Sequence, residues 1–362
     1  MLRKFLQRIL SPLVIKIADK YSSRPDKDRI HKALTALYSK ISAGNEKRGL
    51  LIKIVPEQKF IIFSDQHKGA KDGSDDFAFC EKNYLYALEY YNQNNFHFIS
   101  LGDSEELWEN TLATVKKRNI ESFEKEKLFL QRNAFTKVFG NHDLEWDNSP
   151  LASIELQNIY GQNLPVYEGV LLKVNDKCPV EIFLTHGHQG DELSDGNWFS
   201  KWFVANIWAP VQSYLSINPN TPAFQDHLKT DHNLFMYEWI SQQKNMLLIT
   251  GHTHQPVFES LTHMESLYKK LAAAKEIKDE VTIQLIEGEI QLKKLKRQVL
   301  PDFAAYQPTY FNSGCCCFND GDITGIEIAD GKIRLVKWEY GEDKLSARVL
   351  LEEASLADLV TC

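Results

Sequence analysis

Phe60-Ile61-Ile62-Phe63-Ser64-Asp65-Gln66-His67 is an apolar run that breaks off into an acid, an amide and an imidazole. The apolar half suits a strand buried on both faces, and Asp-x-His then sets two good metal ligands where the backbone leaves the sheet. The arrangement recurs down the chain. Phe96 to Leu101 runs into Gly102-Asp103, Thr136 to Phe139 into Gly140-Asn141-His142-Asp143, Val180 to Thr185 into His186-Gly187-His188, and Asn245 to Thr250 into Gly251-His252-Thr253-His254.

Helical patterns separate the first three of these strands, from about Phe77 to Tyr91 and from Ile120 to Asn133. Such alternation predicts an α/β sheet with its functional loops at the carboxyl ends of the strands. Val170 to Val174 and Val180 to Thr185 read as a hairpin turned by Asn175-Asp176-Lys177. Near the C-terminus, Tyr310 to Phe318, Ile323 to Ile328 and Ile333 to Glu339 predict antiparallel strands of a second sheet. The last two are joined by Asp330-Gly331, a strong hairpin signal.

The catalytic domain is thus expected over residues 50–345, preceded by a helical extension at 1–49 and followed by a peripheral tail at 346–362. Two insertions interrupt it. Residues 195–240 hold Trp198, Trp202, Trp208 and Trp239 at mostly helical spacing, which reads either as plain packing or as a lid or apolar substrate wall. Residues 262–300 form a Lys-, Glu- and Leu-rich helical stretch too long for one ordinary helix, which predicts an arm folded on itself or a dimerising coiled coil.

With 43% hydrophobic and 25% charged residues among 362, the chain has the composition of a globular protein and not of a disordered one. A net charge of -7 argues against a general nucleic-acid-binding field. Six cysteines are too few and too irregularly placed for a disulfide framework, so they read as reduced cytosolic thiols, with Cys315-Cys316-Cys317 filling a strand. No apolar run reaches 18 residues. At the N-terminus, Leu2, Phe5, Leu6, Ile9, Leu10, Leu13, Val14 and Ile17 recur at helical spacing among five basic residues. That helix either packs on its own domain or lies in a membrane interface, which makes the expected location cytoplasmic or peripheral on the inner face of the membrane.

Collected, the strand-end residues are Asp65, His67, Asp103, Asn141, His186, His252 and His254. Carboxylates, imidazoles and one amide carbonyl make a set for two divalent transition-metal ions, since one carboxylate can bridge both. Manganese comes first, with iron or zinc as alternatives.

These pieces resemble the ordered pattern of the calcineurin-like metallophosphoesterases, D-x-H, G-D, G-N-H-[DE], H and G-H-x-H, over about Phe60 to Glu339 with the two insertions outside it. The resemblance implies a four-layer αββα sandwich of two mixed sheets with helical insertions. It places Asp65, His67 and His254 on a first metal, Asn141, His186 and His252 on a second, and Asp103 between them. His142 is then the catalytic residue that protonates the leaving oxygen or steadies the phosphate in the transition state, and Asp143 the residue that orients it. The implied activity is hydrolysis of a phosphate ester or pyrophosphate by metal-activated water, in a small-molecule or lipid substrate.

The second motif, Gly102-Asp103-Ser104-Glu105-Glu106-Leu107-Trp108-Glu109, lacks the Asp-Arg-Gly of the family's protein serine/threonine phosphatases. Glu106 and Trp108 match G-D-x-x-E-x-W instead, which is similar to the UDP-2,3-diacylglucosamine pyrophosphohydrolases of lipid A synthesis. The best-known of those carry Arg where His142 stands and lack the arm at 265–299. A lipid-linked pyrophosphohydrolase is accordingly one alternative, and a non-catalytic metal-binding scaffold using the arm is another. Lys68, Glu106, Trp108 and His188 are the candidate substrate residues.

Overall fold

The computed structural model describes residues 25–44, 48–55, 57–73, 75–174, 179–190, 222–259, 261–262, 270–271, 274–275, 279–293, 308–341 and 345–359, with only the backbone described at 222–230, 261–262 and 288–293. The amphipathic stretch 1–20 and residues 195–221 of the aromatic insertion lie outside the described residues.

Strand β2 (Lys59–Phe63) shows how the layers arise. Alternate side chains of a strand face opposite ways. Phe60 and Ile62 join Val170, Leu172, Ile182, Leu184, Leu247 and Ile249 in one buried cluster, whereas Ile61 and Phe63 join Phe77, Tyr84, Leu88 and Phe129 in another. Both faces are apolar because both are covered, by a second sheet and by helices.

The sheet holding β2 pairs it in parallel with β3 (Phe96–Leu101), then β4 (Phe135–Val138) and β5 (Val166–Tyr167). On its other side run antiparallel β12 (Ile323–Ala329), β13 (Lys332–Tyr340) and β14 (Ser346–Ser355). The facing sheet has the order β1 (Gly49–Ile54), β6 (Gly169–Val174), β7 (Val180–Thr185), β8 (Met246–Thr250), β11 (Tyr310–Asn312), β9 (Val257–Phe258) and β10 (Leu261–Thr262). Each sheet has seven strands and is mixed.

Helices α2 (Phe77–Gln93), α4 (Ile120–Gln131) and α6 (Ala152–Tyr160) cover the β2 sheet. Short helices α3 (Leu112–Arg118) and α5 (Glu145–Asn148) lie in its loops. The facing sheet is covered by α1 (Lys27–Ser42) and α7 (Pro222–Ile240), where Ile30, Leu34, Leu37 and Ile41 pack with Leu171, Phe183, Leu248, Met236 and Trp239. This is the αββα sandwich. Helix α1 is held at its start by Asp26, whose side chain accepts from the Arg29 amide at 2.9 Å, a cap of about 1 kcal/mol. Residues 27–42 of the expected extension therefore form part of the outer layer.

Two expectations are corrected. Residues 346–355, read as tail, form β14, which pairs along its whole length with β13. The strand expected over 310–318 stops at Asn312, so the three cysteines lie in a buried loop beside the strand ends and not within a strand. Of the arm, α8 (Glu280–Lys293) is described. Lys275 Nζ lies 2.9 Å from Glu287 Oε1. Residues 12 apart on one helix are separated by about 18 Å, so these two do not share one continuous helix. Among the described residues no helix is long and apolar enough to cross a membrane.

Candidate metal centre

Every expected strand end opens on the same edge of the sandwich, and the loops there are locked to one another. Asp65 N donates to Gly102 O at 3.0 Å and His67 N to Asp103 O at 2.9 Å, so the first two motifs run on side by side beyond their strands. Gly251 N donates to His186 O at 3.0 Å, which joins the fourth and fifth motifs in the same way.

The backbone is strained where the ligands sit. Asp65, His67, Asp103, His252 and His254 all have φ between 50° and 69°, a region that non-glycine residues rarely occupy. Five such residues in one cleft point to a geometry fixed by side-chain placement. Gly102, at φ 88°, is required twice over, because a Cβ there would also fall 2.5 Å from the His186 ring.

Two groups of ligand atoms result. His254 Nε2 lies 3.2 Å from Asp65 Oδ1 and 3.2 Å from His67 Nε2. Asp103, His186 and His252 form the second group, their ligand atoms all within 4.8 Å of one another. Asp103 Oδ2 stands between the groups, 3.1 Å from His186 Nε2 and 3.7 Å from His67 Nε2. Its other oxygen is tied down by the His142 amide at 2.8 Å. Asn141 Oδ1 is buried and accepts no hydrogen bond, which would leave about 1–3 kcal/mol of desolvation uncompensated unless a cation is its partner.

The charges agree. Burial pushes the Asp65 and Asp103 carboxyls up, but the adjacent imidazoles, His186 first, outweigh it and hold both well below the usual carboxylate range. Burial, together with His232 and His186 nearby, keeps His252 neutral, the form in which imidazole binds metal. Two acids fixed as carboxylates, a neutral His252 and an unpartnered amide oxygen fit a pair of divalent cations.

Glu106 organises the adjoining wall. Its Oε2 lies 2.9 Å from His67 Nδ1 and 2.7 Å from His142 Nδ1. Burial raises the Glu106 carboxyl, yet His142 outweighs it and brings it down to about 2. Trp108 stacks on the His142 ring at 4.5 Å and donates from Nε1 to Asn141 O at 2.6 Å. Glu106 and Trp108 thus attend the motif histidine and its neighbour. His188 is buried against Phe139 and His186, and burial lowers it to about 3.

Two site expectations change. Asp143 does not reach the His142 ring: its carboxylate accepts from Gly140 N at 2.5 Å and Ser104 N at 2.9 Å, pinning two ligand loops together, and Glu106 takes the place beside His142. Lys68 faces no substrate. It is fully buried, with Nζ 2.6 Å from Glu126 and 3.2 Å from Glu105, and Glu105 in turn meets Lys137 at 2.9 Å.

Two neighbours of the centre read in the sequence only as packing, His232 as a core histidine and Cys317 as part of a strand. His232 Nε2 donates to Gly187 O at 2.7 Å and sets its ring 5.1 Å from that of His252. Cys317 Sγ lies 3.5 Å from His254 Nδ1, so a thiol borders a ligand set that contains none. Nothing in the spacing from 254 to 317 announces that contact.

The sequence profile of the calcineurin-like phosphoesterase family matches residues 58–256, more than half of the chain. The chain belongs to that family, whose members use dinuclear metal centres, and it carries candidate ligands for one. Similar solved structures include Vacuolar Protein Sorting 29 from Cryptosporidium parvum, at 12% identity over 83% of this chain and 100% of that one with a TM-score of 0.32. A dimetal phosphatase from Danio rerio is similar at 8% identity over 83% and 99%, TM-score 0.36. A putative 5'-nucleotidase from Staphylococcus aureus is similar at 13% over 84% and 55%, TM-score 0.31. A search of curated proteins finds no match.

Proposed function

We propose that the chain is a dinuclear metal-dependent phosphoesterase that hydrolyses a phosphate ester or pyrophosphate. The observation that carries this reading is Asp103, whose Oδ2 faces imidazole nitrogens of both ligand groups, at 3.1 Å and 3.7 Å. Asp65, His67 and His254 would hold one ion and Asn141, His186 and His252 the other, with Asp103 available to both. This mixed oxygen and nitrogen set suits manganese, iron or zinc. When bound, such a pair supplies Lewis acidity toward phosphate oxygens and a water activated at neutral pH.

The chain's own residues do the rest. Burial lowers the His142 ring, but Glu106 and Asp103 outweigh it and favour the protonated form, so Nε2 can deliver a proton to a leaving oxygen. Glu106 holds the Nδ1 side of that ring, and Trp108 fixes its plane by stacking. No side-chain nucleophile is required.

Elemental analysis of the purified protein, paired with hydrolysis of p-nitrophenyl phosphate, its bis ester, cyclic nucleotides and UDP-diacylglucosamine, tests the proposal. Two ions per chain and metal-dependent turnover are expected. Two ions without turnover would favour the scaffold reading, and no bound metal would remove the dinuclear one. Turnover of the UDP-diacylglucosamine alone would favour the lipid-linked branch.

A further inference from the structure

The cysteine loop lies against the first ligand group. Cys316 N donates to Asp65 O at 3.1 Å, and Thr324 N donates to Cys315 O at 3.0 Å, so the loop is pinned both to the metal-facing turn and to β12. The side chains it presents to His254 are those of Cys317, which is 8% exposed and meets Nδ1, and of Cys315, whose thiol interacts with both His254 and Cys317. The two ring nitrogens of His254 face different partners: Nε2 faces Asp65 Oδ1 and His67 Nε2, each at 3.2 Å, and Nδ1 faces Cys317 Sγ at 3.5 Å.

A histidine that gives one nitrogen to a metal carries its proton on the other, and the partner of that proton sets the tautomer and the ring's aim. Carboxylates, backbone carbonyls and water are the usual partners. Here the position is occupied by sulfur, a weak acceptor as a thiol.

Resting on the dinuclear reading above, we propose that Cys317 is the positioning residue of the first metal: His254 Nδ1–H donates to its sulfur, which holds Nε2 toward Asp65 and His67. Retention of that ion, and not of the second, then depends on an acceptor at position 317.

The test is metal retention, read by elemental analysis after dialysis against graded chelator. Cys317→Ala is expected to lose one of two ions at 10- to 100-fold lower chelator strength, the range for loss of an orienting partner. Cys317→Ser, which restores an acceptor of similar size, is expected to recover most of the difference. Thermal unfolding of the chelated proteins serves as the folding control. If Cys317→Ala holds both ions as tightly as the native chain, or if Ser fails as badly as Ala, sulfur at 317 has no such role. Failure of the native chain to bind two ions would instead overturn the dinuclear reading itself.

Discussion

The carboxylate of Glu106 lies 2.7 Å from Nδ1 of His142, and the same oxygen is 2.9 Å from Nδ1 of His67. One acid therefore aims both the proton donor and a metal ligand. Removing its charge should disturb two functions at once. Glu106→Gln is expected to lower turnover and to weaken first-metal retention by about 10- to 100-fold. His142→Ala should keep both ions and lose about 10²- to 10⁴-fold in kcat. Metal content and kcat measured on each variant check this. Metal loss in His142→Ala would place that histidine among the ligands.

Asp103 touches both ligand groups, so its removal should act differently from that of any other ligand. Asp103→Ala is expected to lose both ions and all measurable turnover, whereas Asn141→Ala should lose only one. Bound ligand stabilises the folded state by about 2.7 kcal/mol at a hundredfold excess over Kd. Chelator should therefore lower the Tm of the native chain by several degrees and leave that of Asp103→Ala unmoved. A native Tm insensitive to chelator would contradict the two-ion site.

How far the fold and site could be read follows from which interactions are local. Asp65-x-His67 and its four successors announce themselves because each sits directly after an apolar strand, and strand ends in a layered sheet share one edge. The unbroken apolar run Phe60 to Phe63 likewise announces a strand covered on both faces, which the two clusters around it bear out. What stayed hidden depends on long-range approach. β14 is an edge strand with half-exposed, mixed residues, and its partner β13 alone reveals it. Asp143 adjoins His142 in sequence whereas Glu106 stands far upstream in another motif, and only the folded loops decide that Glu106 meets the ring. Lys68 looked like a substrate contact because lysines are seldom buried, yet Glu126, 58 residues away, takes its charge inside.

That buried network gives a further prediction. Lys68, Glu105, Glu126 and Lys137 all have fully buried side chains, and Tyr84 and Tyr160 donate to Glu126 at 2.8 Å and 2.6 Å. Breaking one member strands the others without solvent. Lys68→Met is expected to destabilise the chain by about 3–5 kcal/mol, measured by denaturant unfolding, with KM unchanged at temperatures where it stays folded. A raised KM with native stability would return Lys68 to the substrate.

His97 provides a pH test away from the centre. Its Nε2 lies 2.8 Å from Thr136 Oγ1, and its ring packs 5.3 Å from that of Phe60. Burial, with the charge of Arg132 nearby, lowers it from 6.5 to about 4. A base depressed in the folded state takes up its proton more readily when unfolded. Its contribution is therefore intact above pH 6.5 and is lost as the pH falls from there toward 4. The gap corresponds to at most about 3 kcal/mol. His97→Gln, which keeps a partner for Thr136 but cannot protonate, should flatten the stability profile between pH 6.5 and 4 relative to the native chain. Both would be measured by urea unfolding in chelator, so that metal loss does not contribute. Parallel profiles for the two proteins would show that His97 is protonated equally in the folded and unfolded states.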